Sequence, residues 1–360
     1  MIGCGNAFSK KSGHQSFLLE EDGEYLLLDD GSRVPYDLWK QGFDARKINT
    51  FYVSHIHDDH VNGLGEHLLE RYDFQNFPRK WDDFMNDSYR IEIKTQFGKS
   101  SYQEIKKDYW KPNTYKKYAP RLIAHDHIMR DLWDKTLSGA LETTQGFTAD
   151  LETWVEPVAL KDNEGFDWQG WHFDLIQQVH VVSGNAIKYA FGLLMSKPGH
   201  KTVYFTTDTQ YLSPDQLETF YQRADVIIQD AECIGLNMKF PEGAMVYKDA
   251  LGVVHLYPTD ATDPDGMQRA DLLVKGFQEY PWKRYVFTST VHANYGKLAG
   301  YPSADNKKLP KELKAKMLLS HYPDIVLDGK DSFGNTVDWE KEIANDGFAG
   351  IIKQGQVLEF

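Results

Sequence analysis

Short apolar runs, punctuated by Gly, Pro and charged residues, dominate the chain, and their period separates strand from helix. Residues 15–20 and 24–29 are apolar stretches between turn residues and read as two strands of a meander, preceded by a shorter strand over 6–8. Residues 35–41 have the spacing of a short helix, 49–54 (Asn-Thr-Phe-Tyr-Val-Ser) that of a buried strand, and 63–70 that of a second helix. Further along, 120–124, 153–160, 171–179, 186–195, 201–207, 225–229 and 316–320 read as strands, and 127–137 and 214–223 as helices. Strands alternating with helices predict a layered α/β core.

One segment breaks the pattern. Residues 71–118 hold eleven Lys or Arg against seven Asp or Glu, with twelve aromatics and no clean period. In an acidic chain this is a basic, aromatic-rich insertion: a lid, a substrate contact or a dimer contact on one reading, a solvated surface subdomain on the other. The rest is expected to form one domain over 1–360, since 360 residues with 41% apolar content can bury a sizeable core.

Composition narrows the function classes. No window approaches the roughly 20 apolar residues that cross a bilayer, and the opening lacks a secretory signal, so a cytoplasmic protein is expected. Cys4 and Cys233 have no partner spacing and read as packed residues. A net charge of −13 excludes a surface that binds nucleic acid throughout, so a polyanionic substrate must be met by a local patch or by metal ions.

The chemistry concentrates in His55-Ile-His57-Asp58-Asp59-His60, directly after the strand at 49–54. A solvated turn is the plain alternative, but imidazoles and carboxylates projecting from one strand end suit zinc or a similar divalent ion. The loop offers too many donors for one tetrahedral centre with room for substrate, so two ions are expected. Metal-assisted hydrolysis follows as the expected chemistry. Additional ligands belong at other strand ends, where His180, Asp208 and His321 stand.

That order, His-x-His-x-Asp-His, then His, strand-Asp and strand-His, resembles the metallo-β-lactamase superfamily. Gly3-Cys-Gly-Asn-Ala-Phe8, Leu26-Leu-Leu-Asp-Asp-Gly31 and Lys47-Ile-Asn-Thr-Phe-Tyr-Val-Ser54 are similar to its tRNase Z and ribonuclease BN branch, and residues 347–360 resemble the closing strand of related hydrolases. The resemblance implies a four-layered αβ/βα sandwich with two divalent cations, zinc or manganese. His55, His57 and His180 would hold one, Asp59, His60 and His321 the other, with Asp208 between them. A water shared by the ions becomes the nucleophile, and Asp59 also orients it.

Two departures bear on substrate. Where tRNase Z proteins carry His-Glu-Ala-Thr, this chain has Gln229-Asp230-Ala231-Glu232, so Asp230 is expected to orient His292 as the proton donor; His292 as a helix-capping residue is the alternative. The Gly- and Pro-rich arm that clamps tRNA has no match. The expected function is therefore a dinuclear phosphodiesterase acting on a small nucleotide, such as a cyclic nucleotide. Hydrolysis of a carboxylic ester, lactone or thioester, tRNA 3′ processing, and a metal-binding partner protein without catalysis are the alternatives. Relatives that pair make a homodimer the expected assembly.

Overall fold

The computed structural model describes residues 1–72, 119–144, 147–183, 186–210, 217–232, 234, 245–248, 254–257, 267–269, 291–293, 295–299, 309–331 and 334–360. The insertion expected at 71–118 lies outside the described residues except for its first two positions, as does Cys233. The chain divides into two compact units, one comprising Met1–Gly3 and Gly13–Gly165, the other Cys4–Ser12 and Phe166–Phe360. Among the described residues no helix is long and apolar enough to cross a membrane.

The first unit is built on a five-stranded sheet. Strands β1 (Phe17–Glu21) and β2 (Glu24–Leu28) form a hairpin whose turn, Asp22-Gly23, takes positive φ at both positions (53° and 79°), the geometry that matches strand twist in a two-residue loop. Strand β3 (Thr50–Val53) lies parallel to β2, reached through the helix Val34–Lys40. Strand β4 (Arg121–His125) lies parallel to β3. The hairpin β5 (Thr143–Thr144) and β6 (Phe147–Thr148) precedes β7 (Glu156–Leu160), which pairs parallel to β4. Every residue of β3 is buried, as are Leu26, Leu27 and Leu28, which explains unbroken apolar runs rather than alternation. Parallel pairing also aligns strand ends. Leu28 stands opposite Tyr52, Val53 opposite Ala124 and His125 opposite Leu160, so the polar residues that follow β2, β3 and β4 share one sheet edge.

The second unit carries a seven-stranded sheet. Its members are β8 (Gly165–Trp168), β9 (Trp171–Ser183), β10 (Ala186–Ser196), β11 (Val203–Phe205), β12 (Val226–Asp230), β16 (Met317–Ser320) and β17 (Gly350–Ile351), in the spatial order β17-β16-β12-β11-β10-β9-β8. The β9–β10–β11 portion is antiparallel; from β11 through β12 and β16 to β17 every pair is parallel. A separate three-stranded sheet of β13 (Met245–Lys248), β14 (Val254–Tyr257) and β15 (Met267–Arg269), absent from the sequence reading, completes the unit's described strands.

Four local expectations differ from the structure. Residues 6–8 form a turn, because Asn6 Oδ1 accepts from the Phe8 N–H (3.1 Å) and the Ser9 hydroxyl (3.0 Å) and pulls the chain out of strand geometry. Thr153 and Trp154 belong to the helical turn Leu151–Trp154, not to a strand, since Asp150 and Thr153 close a capping box there. The helix after β4 starts at Asp126 and widens into a π-turn over Trp133–Leu137. His180 lies inside β9 rather than after it. Lys188 pairs with Val181 but Tyr189 with Val179, so His180 is the extra residue of a β-bulge. Cys4 is fully buried, as expected of a packed thiol.

Candidate metal centre

In the first unit the loop after β3 gathers four of the expected donors. The rings of His55 and His60 lie 4.2 Å apart, centroid to centroid, tilted by 43°, and His55 and His57 meet edge-on at 4.7 Å. Asp59 Oδ2 lies 3.3 Å from His60 Nε2. His55, Asp59 and His60 are buried, whereas His57 is exposed. What holds the loop is Asp29, a fully buried carboxylate just past β2. Its Oδ1 accepts the Ser54 N–H (2.8 Å), and its Oδ2 accepts both the Ser54 hydroxyl (2.8 Å) and His60 Nδ1–H (2.9 Å). That bond places the His60 proton on Nδ1 and its lone pair on Nε2, the atom beside Asp59. Carboxylate backing of this kind fixes tautomer and ring orientation in metal-binding histidines. Gly31 makes the tight entry possible. A Cβ there would sit 2.0 Å from the Asp59 carbonyl oxygen, so only glycine lets the two loops approach.

In the second unit five expected residues come together, supplied by β9, the ends of β11, β12 and β16, and the segment before the helix Tyr295–Ala299. Asp208, 1% exposed, has His180 Nε2 3.5 Å from its Oδ2 and His321 Nε2 3.3 Å from its Oδ1. Each carboxylate oxygen therefore faces the Nε2 of a different imidazole. His180 is oriented from behind, since its Nδ1–H donates to the Val291 carbonyl (2.9 Å). Two residues at these strand ends, Thr207 (φ 51°) and His321 (φ 60°), hold left-handed backbone, as does Asp29 (φ 59°) in the first unit. Such strain costs on the order of 1 kcal/mol per residue and persists where surrounding contacts dictate it. For His321 one such contact is its N–H to the Cys4 carbonyl (2.8 Å).

Behind Asp208 lies a proton network. His292 Nδ1–H donates to Asp230 Oδ2 (2.9 Å), while its Nε2 stands 2.6 Å from Glu232 Oε2. Asp230 also accepts the N–H groups of Thr209 (3.0 Å) and Glu232 (3.0 Å). Burial opposes charge on both partners. The charge and hydrogen bonds of His292 and His321 overcome it for Asp230, whose pKa falls to about 2. The Asp230 and Asp208 carboxylates overcome it for His292, pushed up to about 12. The surrounding carboxylates thus favour the protonated form of His292, with Asp230 as its counter-ion.

The sequence reading missed Asp29 and Glu232. Asp29 is half of an Asp-Asp-Gly that reads as an ordinary turn, and Glu232 lies beyond its strand, held by a 3.0 Å bond from Asn6 Nδ2 that sequence separation conceals. The donor set fits divalent metal binding. It is rich in buried imidazole and carboxylate, and the Nδ1 atoms of His60 and His180 are engaged by oxygen acceptors.

A model of the anti-Pycsar protein Apyc1 family matches residues 1–111 and 105–239. The anti-Pycsar protein Apyc1 of Saccharibacillus brassicae is 43% identical over 219 residues, covering 61% of this chain and 69% of that protein. Over a shorter stretch of 70 residues, 19% of this chain and 29% of the relative, identity to the Paenibacillus harenae protein of the same name is 46%. The anti-Pycsar protein Apyc1 of Bacillus phage vB_BsuM-Goe3 is 24% identical over 218 residues, 59% of this chain and 67% of the phage protein. These matches therefore span between 29% and 69% of the relatives' own lengths. Among solved structures, the metallo-β-lactamase fold protein YhfI of Bacillus subtilis superposes with a TM-score of 0.52 at 18% identity, over 100% of this chain and 97% of that one, which establishes the fold.

Proposed function

The chain belongs to the anti-Pycsar protein Apyc1 family and is a hydrolytic enzyme of the metallo-β-lactamase fold, and on that premise we propose that it opens the cyclic phosphodiester of a small nucleotide at a pair of divalent cations, zinc or manganese. The proposed ligands are His55, His57, Asp59, His60, His180, Asp208 and His321. The observation that carries the reading is Asp208, whose two oxygens each face a separate imidazole Nε2. Cations held there would supply Lewis acidity to the phosphoryl oxygens and bring the pKa of a water from 15.7 toward about 7.

The chain's own residues supply the rest. The attacking water gives up one proton to solvent, and Asp59, beside His60 Nε2, accepts a hydrogen bond from its remaining O–H and orients the oxygen toward phosphorus. As the new P–O bond forms, the bond from phosphorus to one ribose oxygen breaks, and that oxygen needs a proton. His292 donates it from Nε2, and Asp230, hydrogen-bonded to Nδ1, stabilises the cationic ring until donation and fixes its direction. Glu232 occupies the other side of Nε2 at 2.6 Å and must yield that position to the leaving oxygen. The product is a linear nucleoside monophosphate. A net charge of −13 supports a small substrate over tRNA, because a long polyanion would meet repulsion outside the cation pair.

The test offers metal-loaded protein cyclic mononucleotides, bis-p-nitrophenyl phosphate, a lactone and a pre-tRNA, with products separated chromatographically. Conversion of a cyclic nucleotide to its linear monophosphate is the expected result. Turnover of the lactone or pre-tRNA with inert cyclic nucleotides would overturn the substrate assignment.

A further inference from the structure

Outside these clusters the first unit holds another group of metal-capable side chains, where β4 runs into the helix Asp126–Leu132. We propose that His125, Asp126 and His127 bind a further divalent cation of the zinc class, with Asp162 orienting His125. His125 is 3% exposed, and its Nε2–H donates to Asp162 Oδ1 at 3.0 Å, which places the lone pair on Nδ1. Asp126 Oδ1 stands 3.3 Å from that Nδ1 and 3.6 Å from His127 Nε2. One donor atom from each of the three residues lies within 4.8 Å of the others.

The two separations from Asp126 Oδ1, 3.3 and 3.6 Å, come close to what a shared cation would set. Donors about 2.0–2.1 Å from a tetrahedral zinc stand roughly 3.3–3.4 Å apart along each edge. A surface ion pair accounts for less, since it needs one imidazole on the carboxylate, whereas here two imidazoles converge on the same oxygen. The carboxylate behind His125 repeats the outer support seen at His60, where Asp29 plays the part of Asp162. His125 Nδ1 also accepts the His127 N–H at 3.3 Å, a long bond that coordination would replace. Three protein donors leave one tetrahedral position for water or an anionic oxygen. The position in the fold is informative too: Val53 of β3 pairs with Ala124 of β4, so this group stands one strand from the His55 loop on the same sheet edge. None of its residues belongs to the proposed catalytic pair.

The test counts zinc by elemental analysis after dialysis against chelator-buffered zinc held well below micromolar, using wild type, His127→Ala, Asp162→Asn and Asp208→Asn. His127→Ala removes an exposed side chain and should fold normally by circular dichroism. It is expected to lose one equivalent relative to wild type while keeping its phosphodiesterase activity. Asp162→Asn should weaken the same equivalent about 10–100-fold. Asp208→Asn should keep that equivalent while losing the others, so failure of the phosphodiesterase reading and failure of this site remain distinguishable. Equal zinc content in His127→Ala and wild type would overturn the proposal.

Discussion

At the scale of single residues, the site divides into donors that face the proposed cations and groups that aim them. The candidate donors stood out in the sequence because most fall at or just after an apolar run, and a polar residue at a strand end has few reasons to be a histidine or aspartate repeatedly. The aiming groups were not, because an Asp before Asp-Gly is ordinary turn chemistry until its partners are known. Asp29 illustrates the consequence. Its carboxylate serves Ser54 twice and His60 once, so Asp29→Asn keeps the size but removes charge and one acceptor. Metal affinity should fall about 10–100-fold, read by competition with a chromophoric chelator, with turnover largely restored at saturating metal. Unchanged affinity would show that His60 needs no such support. His292 calls for a different readout. If it protonates the leaving oxygen, His292→Ala should lower kcat/KM about 10²–10⁴-fold for a cyclic nucleotide, whose ribose alkoxide leaves poorly. The loss should be far smaller for bis-p-nitrophenyl phosphate, whose nitrophenolate leaves without a proton. Equal losses on both substrates would make His292 a positioning residue only.

At the scale of elements, the buried parallel strands were readable because burial on both faces leaves an unbroken apolar signature, as in Phe51-Tyr52-Val53 and Leu26-Leu27-Leu28. Where side-chain hydrogen bonds outcompete pairing, the reading failed: the Asx turn at Asn6 and the capping box at Asp150 each override a segment that looks extended. The bulge at His180 was invisible for another reason, since it depends on the register of β9 against β10. One loop attachment carries its own pH dependence. Asp324 accepts main-chain N–H bonds from Lys10, Lys11 (3.0 Å) and Ser12 (3.3 Å) and the Ser12 hydroxyl (3.1 Å). Burial alone would raise its pKa, but these donors outweigh burial and hold it below the ordinary 3.8. A carboxyl depressed in the folded state stabilises the fold above its unfolded pKa and loses that contribution as pH falls through the folded value. Asp324→Asn should therefore be less stable than wild type at neutral pH, and the difference should vanish in strongly acidic buffer. Thermal melts across that range decide it; a gap that persists at the acid end would locate the effect in packing rather than charge.

At the scale of the whole molecule, the fold class and the acidic character were both legible early, whereas the division into two units was not, because it depends on contacts between distant segments such as the bridge between Gly5 and Tyr322. Each unit concentrates acidic groups in low-exposure surroundings: Asp29 and Asp59 in the first, Asp208 and Asp230 in the second. Buried carboxylates repel one another and oppose folding in proportion to the charge their neighbours leave uncompensated, so divalent cations beside Asp59 and Asp208 should stabilise the fold as well as serve the reaction. By mass action, an ion present at a hundred times its Kd adds about 2.7 kcal/mol to the folded state. The measurement is a pair of thermal melts, with and without a strong chelator, on the His127→Ala background so that only the proposed catalytic pair is stripped. Chelation should lower the melting temperature substantially, and adding Asp208→Ala to that background should abolish most of the difference by removing the bridging ligand beforehand. If chelation lowers both proteins equally, the stabilising ions sit away from Asp208. A chelator that shifts neither would show that the buried acids are balanced by His60, His292 and His321 alone, and the two-cation reading would fall with it.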